Sequence, residues 1–211
     1  MTLGTIKRFV SSQFSMPSLP AAAVFFLLPY LFWLIFQLVF GFSVNYPGTG
    51  LSVVFAAISW LLSSIVIFFL LAAFKGKAAK GKFFSAMASF SSIYAISAIA
   101  GLVIILMVHA AIPGFVPKLA ELQGQGVSLG QMVSVVSALA LPSREILAVI
   151  FLAVAAIILA AACLDFYVVY RIFASAKETS KFSNLVFAVI GVGGIMFIDF
   201  LFRLVLSSVA A

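Results

Sequence analysis

Five stretches of the chain stay apolar for about the length of a bilayer crossing: residues 21–41, 51–74, 83–112, 146–170 and 182–208. About 20 helical residues at 1.5 Å rise span a hydrocarbon layer of roughly 30 Å. None of the five alternates polar and apolar with period two, as a membrane barrel strand must. The pattern therefore predicts an all-α integral membrane protein, a five-helix transmembrane bundle. Residues 1–20 precede it, and one long external loop, 113–145, separates the third span from the fourth.

Two further segments have helical periodicity without the length to span. In the first, Ile6, Phe9, Val10 and Phe14 share a face, Lys7 and Arg8 flank it, and Pro17 interrupts it. It reads as an interfacial helix on the cytoplasmic surface. In the second, Leu129, Met132, Val133, Val136 and Leu139 form a stripe against Gln131, Ser134 and Ser137, which suggests an external interfacial helix. The competing reading for both is a loop helix that fills a gap on the bundle.

Composition makes the membrane reading firm. The chain is 65% hydrophobic and 8% charged, with a mean hydropathy of +1.33. A soluble domain of 211 residues needs far more polar surface than that. The same figures exclude disorder and nucleic-acid recognition as a main task, and a single cysteine, Cys163 in an apolar run, excludes a disulfide scaffold. Span one, with its basic flank, resembles a signal peptide, but it is long and ends in Gly41-Phe42-Ser43 without a small-x-small site, so it is expected to be retained.

Orientation follows from the basic residues beside the spans, which remain cytoplasmic. Lys7, Arg8, Lys75, Lys77, Lys80, Lys82, Arg171, Lys177 and Lys181 fall on one side, against Lys118, Arg144 and Arg203 on the other. The amino terminus is expected in the cytoplasm and the carboxyl terminus outside, in the cell (plasma) membrane. Lys75, Lys77, Lys80 and Lys82 are expected to attract anionic lipid headgroups, at about 1 kcal/mol per charge. Gly76 to Lys82 matches the first seven positions of a phosphate-binding loop, but Phe83 stands where Ser or Thr must bind magnesium and no strand precedes it. Nucleotide binding is excluded.

Ionisable residues within the spans are the natural candidates for chemistry, because each costs about 2.5 to 3.5 kcal/mol at a helix centre on insertion scales. Asp199 and Arg203 lie four apart on span five and can pair along it. Counted from their own span ends, His109, Arg144, Glu145, Asp199 and Arg203 all fall toward the outer side. They read either as an outward-facing pocket or as hydrated and self-neutralised groups. Asp165 lies toward the cytoplasmic end of span four, where Ser85, Ser89, Ser92, Ser97 and Tyr94 of span three could offer hydroxyls, either to relay protons or to bond the helices together. No metal-ligand constellation and no nucleophile with a base appear, so neither a cofactor nor an enzyme is expected. Small residues, including Ala156 with Ala160 and the group Gly191, Gly193 and Gly194, suggest that spans three, four and five form the tight core while one and two face lipid or a partner.

The Gly- and Lys-bearing turn from Phe74 to Phe83, the Ser-rich third span after it, and the stretch from Asp165 to Ser180 bridging spans four and five resemble the five-span Yip family. In eukaryotes these membrane proteins associate with Rab-type GTPases, and the family has prokaryotic relatives. The acidic-Leu-Tyr-Gly signature ahead of span one is missing here, so GTPase partnership is carried over to no residue. The resemblance implies a non-catalytic protein that shapes bilayers or organises other membrane proteins. The function expected is a scaffold or accessory subunit, with itself or other membrane proteins as partners. The alternative is a small-solute or ion transporter using Asp199, Arg203, His109 and Asp165.

Overall fold

The computed structural model describes residues 2–40, 46–75, 82–112, 114, 115, 117, 143–175 and 180–209. Seven helices organise them: α1 (Leu3–Ser15), α2 (Leu19–Phe40), α3 (Tyr46–Lys75), α4 (Phe83–Phe90), α5 (Ser92–Ala111), α6 (Arg144–Ser175) and α7 (Lys181–Val209). Among the described residues there is no strand. Five helical stretches are long and apolar enough to cross a membrane: α2, α3, α4 with α5, α6, and α7. The expected external helix around Leu129 to Leu139, and nearly all of the 113–145 loop, lie outside the described residues.

The third span is two helices because serines compete for its backbone. Ser91 stands between α4 and α5, and its hydroxyl donates to the Ala88 carbonyl at 2.6 Å. A serine bonding three residues back offers the chain an alternative to the regular ladder. The two halves pack differently: α4 touches α1, α2, α3 and α6, while α5 lies between α2 and α6. Helices α6 and α7 are neighbours, and α7 closes onto α3.

Most of the core lies at the end of the bundle that carries α1. It joins Ile6, Val10 and Phe14 of α1 to Ile67 and Leu71 of α3, Ala86 and Phe90 of α4, Val168, Val169, Ile172 and Phe173 of α6, and Phe187 of α7. The apolar face of α1 is thus buried in protein, and Thr2 caps the helix by accepting from the Thr5 amide. Each fully buried Val or Ile in that face contributes roughly 1.5–3 kcal/mol where water is the alternative.

Span two belongs to this core as much as span four does, which corrects the division between inner and outer spans. Gly191 is the reason. A Cβ there would stand 3.0 Å from Ile67 Cδ1 and 3.2 Å from Val169 Cγ1, so the bare backbone lets α7 close on α3 and α6 without displacing those side-chain ends by a few tenths of an ångström. Gly194 meets Val66 in the same way, at 3.2 Å. Spans one, two and three are also tied by aromatic contacts. Phe26 stacks on Trp60 at 4.8 Å and meets Tyr94 edge-on at 5.0 Å, while Trp60 Nε1 donates to the Met87 carbonyl at 3.0 Å.

Beyond that core the fourth span stands nearly alone. From Ile146 to Cys163 only a narrow stripe including Leu147, Ile150, Val154 and Ile157 is even partly covered, while Phe151 is 73% exposed and Leu152 66%. Ala156 and Ala160 are exposed too, so among the described residues that small-residue pair is left uncovered.

Candidate functional site

The polar groups that the fold gathers lie where α1 meets α4 and α6. Arg171 Nη2 donates to Ser11 Oγ at 3.3 Å, and Ser89 Oγ donates to the Val10 carbonyl at 3.5 Å. Lys82 places Nζ 5.9 Å from the centre of the Phe14 ring, within cation–π range. Gln13 accepts from the Ser18 amide and so closes the turn into α2. None of these pairings was anticipated. The amphipathic pattern of α1 was visible, but nothing in it names Ser89 or Arg171 as partners.

Asp165 lies one to two helical turns farther along α6, away from α1. At about 100° per residue, Val168, Val169 and Ile172 stand roughly 60°, 40° and 20° from it around the helix, and all three are fully buried. Asp165 therefore projects toward the interior of the bundle. Its Oδ1 is out of contact with solvent and has no hydrogen-bond partner.

Ser92, on the neighbouring α5, is fully buried and its Oγ is likewise unpartnered. The two heights share one reference, since Ser89 and Arg171 bond adjacent residues of α1. Ser92 is then about 4.5 Å beyond Ser89, and Asp165 about 9 Å beyond Arg171, by helical rise. The serines expected around Asp165 divide accordingly. Ser85, Ser89 and Ser92 are buried, Ser89 already bonds Val10, and Ser97 is exposed.

The backbone register of α6 and α7 can be followed from one contact. Gly191 opposes Val169, and continuing that antiparallel register sets the Asp199 backbone at the height of Ala161. That is about 24 Å of helical rise from Glu145. Arg144 and Glu145 open α6 fully exposed, and His109 is part-buried in the last turn of α5. The side chains of Asp199, Arg203 and Lys75, together with residues Lys77 and Lys80, lie outside what is described. Of the four loop lysines Lys82 alone is placed, against Phe14.

Between α2 and α5 a lateral groove of about 140 Å³ opens along Pro29, Phe32, Phe36, Ser97, Gly101 and Ile105. A Cβ added at Gly101 would meet nothing within 4 Å, so this small residue widens the groove and serves no close packing there.

The class defined by this architecture is an all-helical, multi-pass membrane protein with five helices of spanning length. The chain matches no known family, no characterised protein and no solved structure.

Proposed function

We propose that the protein is a non-catalytic scaffold or accessory subunit of a membrane assembly, with a Yip-like role in organising the bilayer or its proteins. One observation carries the reading: among the described residues, most of the surface of α6 from Ile146 to Cys163 is uncovered, bulky side chains and the Ala156 and Ala160 pair included. Helices in lipid associate by close packing at small residues, with no hydrophobic drive between them. A span held by one narrow stripe suits a second helix docking beside it, from another membrane protein or another copy. Under mild solubilisation the protein is expected to travel with stoichiometric partners or as an oligomer. Recovery as a lone monomer from gently extracted membranes would sink the reading.

The transporter reading is second, and the inward aim of Asp165 favours it. Against it, the unpartnered buried oxygens are scattered over three heights. Ser175 lies near the α1 end, Asp165 and Ser92 form the second height, and Gln37 on α2 the third, beside Phe36, which lines the groove with Ile105. From Ser92 to Ile105 is about 20 Å along α5. Liposome flux that survives Asp165→Asn and Asp199→Asn together would eliminate transport through these groups.

The orientation we propose places α1 and the Lys75 to Lys82 turn in the cytoplasm, against anionic headgroups, in the cell membrane, with the carboxyl terminus outside. A membrane-impermeant amine reagent is then expected to leave that turn unlabelled on sealed cells and to label it after lysis. Labelling on intact cells would invert the map.

A further inference from the structure

We propose that Asp165 is a proton-binding site within the bundle, loaded from the end that carries α1. The proposal rests on the five helices lying in a membrane and is independent of the scaffold reading. It begins with geometry: the carboxyl shares the helix face of Val168, Val169 and Ile172, its Oδ1 is sealed from solvent, and Ser92 Oγ on the adjoining helix is sealed and unpartnered as well.

No cation is available to balance a carboxylate at that depth among the described side chains. On α1, Lys7 and Arg8 are exposed. Helix α4 has no charged residue, and Lys82 just before it is turned onto Phe14. On α5, the Tyr94 hydroxyl donates to the Ala56 carbonyl, and His109 lies about 25 Å beyond Ser92. On α7, Lys181 stands at the α1 end, and the side chains of Asp199 and Arg203 are outside the described set. On α6 itself Tyr167 and Tyr170 carry no positive charge, and Arg171 is about 9 Å away and roughly 120° around the helix, bonded to Ser11.

Asp165 is half-buried with Oδ1 sealed, and in a membrane a carboxylate so placed is costly; binding a cation offsets that cost. A proton fits these groups best. A hard divalent cation takes six or more oxygens, whereas here two unpartnered oxygens lie at neighbouring heights. Protonation turns the acid into a hydrogen-bond donor, at a height near that of a hydroxyl on the adjoining helix that can both accept and donate. Loading from the α1 end follows from the positions of the remaining unpartnered buried atoms. Ser175 Oγ, the other such oxygen on α6, lies about 15 Å along the helix in that direction, while the next one the other way, Gln37 Oε1, lies about 20 Å beyond Ser92.

The test uses full-length protein in liposomes treated with dicyclohexylcarbodiimide, which attacks protonated carboxyls reached through lipid, at acidic, neutral and alkaline pH. Mass spectrometry reads the peptide containing residue 165. An adduct at Asp165 is expected in acid, falling by about tenfold per pH unit above its midpoint, unaffected by sodium, and absent in Asp165→Asn. An adduct that does not change with pH, or that sodium suppresses at fixed pH, overturns the assignment. Infrared difference spectra of wild type against Asp165→Asn make the test independent of reagent access. The C=O stretch of a protonated carboxyl must appear in acid and vanish in alkali, and its absence at every pH overturns the proposal even if the reagent fails to reach the site. Because both readouts use isolated protein, they succeed or fail separately from co-purification.

Discussion

Val10→Asp is expected to abolish the packed end of the bundle, whereas Arg8→Asp two residues away leaves it intact. Val10 is fully buried, and its backbone carbonyl also accepts the Ser89 hydroxyl, so the side chain at this position has no route to solvent without lifting α1 off α4 and α6. An uncompensated buried charge costs about 3–5 kcal/mol, in addition to the lost apolar contact. Arg8 is exposed, and a surface exchange there stays within about 0.5 kcal/mol. Thermal unfolding in detergent measures the difference: a fall of roughly 10 °C for Val10→Asp against almost none for Arg8→Asp. The pair also separates two roles for the helix. A helix lying on lipid would lose only membrane contact on Val10→Asp, with the stability of the other helices unchanged. Equal melting temperatures for the two variants would mean that α1 does not hold the bundle together.

The contrast between Val10 and Arg8 shows what was legible beforehand. The spacing of Ile6, Phe9, Val10 and Phe14 marks the apolar face of α1, because period and polarity are local properties, and of the four Ile6, Val10 and Phe14 are buried while Phe9 is half-buried. Its destination was not legible, since lipid and protein make the same demand on that face. The five spans were legible for the same local reason, because length and apolarity alone decide them. Their neighbours were not. Spans that are apolar all round have no side marked for the core, so the contact of α2 with α5 and of α3 with α7 had to come from the structure.

Height along the bundle is not a local property either. The 32 residues of α6 extend about 48 Å, well past a bilayer core, so depth counted from a span's own end does not fix which residues of two spans share a level. Asp165 was singled out because an acid in a long apolar run is conspicuous, yet its inward aim depended on knowing that Val168, Val169 and Ile172 are buried. Ser89 and Ser92 looked interchangeable along the third span. Only the seating of α1 shows that one hydroxyl is occupied and the other is not.

Gly191→Leu is expected to disassemble the contact of α7 with α3 and α6, while Gly193→Leu is tolerated. The two glycines are two residues apart on one helix and have the same intrinsic propensity, so any difference between them is tertiary. At Gly191 the first added carbon already meets Ile67 at 3.0 Å and Val169 at 3.2 Å, with Phe173 at 3.5 Å behind them. At Gly193 it meets nothing within 4 Å. Gly191→Ala forces those side chains aside and costs about 1–3 kcal/mol, the usual range for overpacking. Leucine adds three more carbons to a space with no room and is expected to exceed that range, giving aggregated or unfolded protein after extraction. At Gly193 both substitutions remove glycine's helix penalty, a gain of about 0.5–1 kcal/mol where water is the reference. Gly191→Ser is the informative intermediate, since its small volume keeps the protein folded and allows a measured loss. Size-exclusion profiles and melting temperatures of the five variants should order as wild type and both Gly193 variants, then Gly191→Ala and Gly191→Ser, then Gly191→Leu. If Gly193→Leu proves as damaging as Gly191→Leu, then Gly193 lies against a partner helix that a single chain does not supply. The docking surface proposed for α6 would then have to extend onto α7, where Met196, Phe197 and Phe200 are exposed along the same helix.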